Sequence, residues 1–66
     1  MNNDEKINEI ERRLNFWQER LEESKNASNF LNELNDSIKI NMNKEDIINF
    51  TNIINSLQNA LDELKS

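Results

Sequence analysis

Apolar residues recur along this chain in steps of three and four. The spacing is best developed over residues 43–64, NKEDIINFTNIINSLQNALDEL, where Ile47, Phe50, Ile54, Leu57, Leu61 and Leu64 fall on one helical face. Ile53 and Ala60 widen that face. Asn43 can cap such a helix by accepting a bond from a free N–H of its first turn. Asp46 stands where a capping box puts its acid, and Met42 and Ile47 hold the two positions of a hydrophobic staple. The pattern predicts a helix over residues 44–65, with Lys65 at the negative end of its dipole. Its six stripe residues are the expected core or self-association seam.

Near the start, Ile7, Ile10, Leu14, Trp17 and Leu21 keep the same spacing. They predict a helix over about residues 4–25, capped by Asn3 or Asp4, with residues 1–3 frayed. Written as heptads, Ile7, Leu14 and Leu21 take the a positions and Ile10 and Trp17 the d positions. The g row, Lys6, Arg13 and Arg20, is entirely cationic, and the e row is Asp4, Glu11, Gln18 and Lys25. Parallel self-pairing would set Arg20 against Lys25, and antiparallel self-pairing would set the cationic rows together. This helix is therefore not written as a self-pairing coiled coil. Its cationic row needs solvent, an acidic partner or a mate on the same helix, such as Glu9 for Arg13 at i,i+4.

Residues 24–29, SKNASN, interrupt the apolar pattern with Ser24 and Ser28 at the next heptad positions. Ser and Asn compete for backbone hydrogen bonds and favour caps and turns. Beyond them Ala27, Phe30, Leu31, Leu34 and Ile38 share a face rotated away from the first stripe. The expected reading is a break or kink at residues 25–28, then a short helix over 29–40. Asn41-Met42-Asn43 would join it to the last helix, since Asn tolerates the left-handed backbone that ends helices. Two all-α architectures follow for a single domain of residues 1–66. One is a three-helix bundle of 4–25, 29–40 and 44–65. The other is a hairpin of one long bent helix and one short one, which dimerises because it lacks a third element to close its core.

Composition supports the helical reading. Glycine, proline, tyrosine and valine are absent, so a sheet would lack both its strand formers and its turn residues. Cysteine and histidine are absent too. That removes disulfides, thiolate chemistry, common zinc sites and imidazole acid–base catalysis. A chain of 66 residues without staples relies on regular helix packing or on association.

Nothing in the sequence has the form of an active site. Without glycine there is no phosphate-cradling loop, and the serines Ser24, Ser28, Ser37 and Ser56 lack any surrounding motif. The Glu19, Glu22 and Glu23 cluster lacks the histidine that a helical di-iron site takes, and is expected on the surface. We therefore expect no catalytic, cofactor-binding or metal-binding residues. A net charge of −5 argues against nucleic acid, although Arg12, Arg13 and Arg20 all lie in the first helix. The polar face of the last helix carries Asn, Asp and Glu rather than the Lys and Arg of a membrane-surface helix. No apolar run exceeds two residues, so neither a signal peptide nor a membrane span is expected, and the expected location is cytoplasmic. Three N-x-S/T sequons, at Asn26, Asn35 and Asn49, are chance among fourteen asparagines. Abundant Asn, Ile, Lys and Glu points to AT-rich codons, as in low-GC bacteria and their phages and plasmids.

One local feature suggests binding. Phe16 and Trp17 are adjacent, so they cannot face the same seam. Trp17 lies on the core stripe, whereas Phe16 must pack on another helix, reach a partner or stay exposed. Arg20, one turn on, can stack over Phe16. Arg13, Phe16, Trp17 and Arg20 have the composition of an interface hot spot. Ile48 lies off the main stripe and would pack on a neighbouring helix or join a dimer contact. The expected function is a non-enzymatic regulator or inhibitor, of the kind mobile elements carry, that occludes a partner protein with this helical face. The alternatives are a homo-oligomeric assembly or scaffolding protein and, third, a nucleic-acid-binding accessory protein.

Overall fold

The computed structural model describes residues 3–66. They form two α-helices and no strand: α1, Asn3–Leu34, and α2, Ser37–Lys65. The helices run antiparallel as a hairpin whose principal extents are 49 × 15 × 14 Å. The radius of gyration is 15.1 Å, against about 11 Å for a compact chain of this length, so the molecule is a rod.

The hairpin is the second of the two expected architectures, but its turn is elsewhere. The expected break at residues 25–28 is absent, and α1 runs straight through SKNASN. The residues of α1 that are not exposed are Ile7, Ile10, Leu14, Trp17, Leu21, Ser24, Ala27, Ser28 and Leu31. Apart from Ala27 this is one unbroken heptad seam, with Ser24 and Ser28 holding its d and a positions. The pattern did not end; it turned polar. Ser and Asn cost a helix only about half a kcal/mol each relative to Ala, and pairing with a second helix outweighs that.

In α2 the matching seam is Ile40, Asn43, Ile47, Phe50, Ile54, Leu57, Leu61 and Leu64, all half-buried or buried. Asn43 is thus neither a cap nor part of a connection. It sits inside α2, buried, and its side-chain amide donates to the Ser24 carbonyl oxygen at 3.0 Å. Asp46 and Met42 likewise lie within the helix and not at its start. Seven residues before Ser24 is Trp17 and seven after Asn43 is Phe50, and those two rings meet at 5.5 Å. Two cross-helix contacts one heptad apart fix the antiparallel alignment.

The true turn is Asn35-Asp36. Asn35 adopts φ 55°, the left-handed conformation that Asn tolerates better than most residues, and its N–H donates to the Asn32 carbonyl at 3.2 Å. Asp36 is the N-cap of α2, its carboxylate accepting from the N–H groups of Ile38 at 3.1 Å and Lys39 at 3.2 Å. The expected short helix over 29–40 is therefore cut at its centre: Phe30 to Leu34 end one helix, and Ser37 and Ile38 begin the next. Replacing Asp36 by Ala should cost about 1 kcal/mol and lower the melting temperature by about 4–8 °C in a helix-monitored thermal scan.

Of the expected frayed end, Asn3 already belongs to α1, while residues 1–2 lie outside the described residues. At the open end of the hairpin Lys65 reaches the Glu11 carboxylate at 4.0 Å, an exposed pair of little energetic weight. Among the described residues only Leu14 and Leu61 are apolar and buried. Two helices enclose a seam but cannot surround it, so the other apolar side chains of the seam stay half-open to water.

Candidate protein-binding surface

The four residues expected to form a binding anchor all lie on α1, and the helix brings them together. Trp17 points into the seam and rests against Phe50. Phe16, one residue earlier, projects outward and is 51 % exposed. Its ring meets Trp17 edge-on, with centroids 5.1 Å apart and planes at 81°. A side chain braced in this way loses less freedom when a partner covers it.

Arg20 lies over the Phe16 ring, its guanidinium carbon 5.8 Å from the ring centroid. That is a cation–π contact at an exposed site, worth about 0.5–1 kcal/mol. Arg20 makes no ion pair among the described residues. Arg13 is different: its Nε donates to Glu9 at 3.1 Å, and Arg12 approaches the same carboxylate at 3.9 Å. The positive charge of Arg12 and Arg13 is thus partly answered on the helix itself, and that of Arg20 is not. Lys6, Glu9, Ile10 and Arg13 line a shallow groove whose other wall is Leu57 and Leu64.

The six residues expected as core or self-association seam, Ile47, Phe50, Ile54, Leu57, Leu61 and Leu64, face α1 within the same chain. The heptad stripe of the first helix is what occupies them. Ile48 is 58 % exposed.

Sequence reasoning passed over a second surface. Phe30, Leu34, Ile38 and Met42 are each more than half exposed, and all four flank the turn. The expected short helix over 29–40 takes up Phe30, Leu34 and Ile38, and the expected connection and staple take up Met42; α1 and α2 contain neither feature. The signal available was the pair of serines: where seam positions turn polar, bulky apolar residues nearby must point elsewhere.

Among the described residues, no group of three or more His, Cys, Asp or Glu side chains could hold a metal ion, and no helix is long and apolar enough to cross a membrane. No protein-family model matches the chain, and no curated protein and no solved structure matches it either.

Proposed function

We propose that this protein is a non-enzymatic regulator that acts by occlusion, laying the Phe16–Arg20 face of α1 on a partner protein. The observation that carries this reading is the exposed Phe16 ring, braced by Trp17 and stacked by the Arg20 guanidinium, which pairs with no carboxylate among the described residues. Aromatic and arginine side chains dominate interface hot spots because they bury much area and donate several hydrogen bonds from one rigid group. The partner surface that fits has an apolar pocket for Phe16 and a carboxylate for Arg20. A rod 49 Å long and about 15 Å wide covers such a surface without deep insertion.

The test is affinity capture with the full chain, comparing the native sequence with Phe16→Ala and Arg20→Ala. Both positions are exposed, so helicity by circular dichroism should be unchanged. Each substitution is expected to weaken capture by about thirtyfold, the effect of losing a hot-spot residue worth about 2 kcal/mol. Full retention by both variants would remove the anchor assignment.

A further inference from the structure

The turn end of the hairpin has a thin apolar interior. Of its seam positions Ser24, Ser28 and the buried Asn43 are small or polar and only Leu31 and Ile40 are large and apolar, while Phe30, Leu34, Ile38 and Met42 point to solvent at 61, 52, 71 and 60 % exposure. Phe30 and Leu34 are one turn apart on α1, and Ile38 and Met42 are one turn apart on α2, so each helix contributes a matched apolar pair. Met42 shares a shallow groove with Leu31, which lies one turn before Leu34. We propose that this tip is the seat of a second copy of the chain, in a twofold dimer that sets Phe30 and Leu34 of each copy on Ile38 and Met42 of the other.

Two observations select a second copy over a foreign protein. The first is charge. Residues 27–43 carry only Glu33, Asp36 and Lys39, in a chain that is 32 % charged. Asp36 keeps its charge while it caps α2, so the segment is close to neutral, at a net −1. Such a surface offers a foreign partner little charge to recognise, and it can face itself with little like-charge repulsion. Having one apolar pair on each helix makes it self-complementary, as a twofold interface requires.

The second observation is area. The accessible surface is 5162 Å² for 7.9 kDa, whereas a compact monomer of that mass exposes about 4,400 Å². The surplus of about 750 Å² per chain is spread along the rod, and a second copy seated on the tip would cover part of it, toward the roughly 800 Å² that each partner buries in a standard interface. The proposed partner-binding anchor is a separate site, since Phe16 precedes Phe30 by two heptads, about 21 Å along the helix.

Sedimentation of the full chain tests the proposal. From about 10 µM to about 500 µM the native protein should show a mass near twice 7.9 kDa, and Phe16→Ala should leave that dimer intact. The double variant Leu34→Glu, Met42→Glu should weaken the dimer by at least about a hundredfold, because it would bury unpaired charge at the contact. Its helicity should hold, since both positions are exposed in the single chain. If helicity is lost, complementary variants decide: Leu34→Glu and Met42→Lys should each be monomeric alone and pair when mixed. A native chain that stays monomeric over this range overturns the proposal. So does a dimer that survives the double variant, a dimer lost on Phe16→Ala, or complementary variants that fail to pair.

Discussion

Replacing Leu14 by Ala is expected to lower the melting temperature by about 10–25 °C, the largest effect of any single truncation in the chain. Leu14 is the most buried apolar residue among those described, at 4 % exposure, and is the third seam residue of α1. Leu→Ala at such a site costs about 2–5 kcal/mol, from lost transfer energy and the cavity left behind. Domains hold about 0.05–0.15 kcal/mol per residue, so this chain has about 3–10 kcal/mol in total. One substitution could therefore remove most of it. A thermal scan followed by circular dichroism is the measurement, with Ile48→Ala as the exposed control. A shift at Leu14 no larger than at Ile48 would mean that the seam is not where the stability lies.

Replacing Asn43 by Leu is expected to act in the opposite direction. The substitution deletes a buried amide and its bond to the Ser24 carbonyl, and it adds apolar area to the seam. The lost hydrogen bond is worth about 1 kcal/mol net, and burying a leucine returns about 1.5–3 kcal/mol. The Ser24 carbonyl lies within α1 and keeps its place in that helix's own ladder, so no acceptor is stranded. The chain should gain about 1 kcal/mol, seen as a rise of about 4–8 °C. The gain should come with a loss of uniqueness. A polar residue at one seam position ties two helices to one alignment, because any other leaves the amide buried without a partner. The Leu variant should therefore populate additional oligomers in sedimentation. A more stable protein that keeps a single assembly would show that Asn43 does not set the alignment.

The same residue marks how far the fold could be read from the sequence. Both apolar stripes were legible because Ile7 to Leu21 and Ile47 to Leu64 keep the three-four spacing. Their pairing into one hairpin was not, because the spacing continues through Ser24, Ser28 and Asn43 in residues that an apolar criterion skips. Asn43 also has the chemistry of a cap, and only its distance from a free helix end distinguishes the two roles. The turn was legible in principle, since Asn35-Asp36-Ser37 joins a residue tolerant of left-handed backbone to a strong N-cap. It was hidden by Leu34 and Ile38, whose separation of four imitates a continuous helix across the turn. At the proposed anchor, the Phe16–Arg20 stack followed from i,i+4 geometry alone. The exposed tip did not follow, because outward and inward residues are defined only once the partner helix is placed.

The polar layer also governs the order in which the rod assembles. The Ser24–Asn43 contact spans 19 residues, which makes it the cheaper of the two cross-helix contacts in loop entropy, and it is also the weaker. Trp17 and Phe50, with the buried Leu14 beyond them, lie further from the turn and bring two aromatic rings together across the seam. Closing the turn end first therefore returns little free energy until the ordered region reaches the aromatic pair. Half-zipped hairpins are therefore expected to be sparsely populated, with the folding barrier near the point where Trp17 meets Phe50, which folding rates of Trp17→Ala and Ser24→Ala variants would check. A polar residue placed next to the turn thus makes two long helices, which could otherwise zip and fray gradually, behave as one cooperative unit.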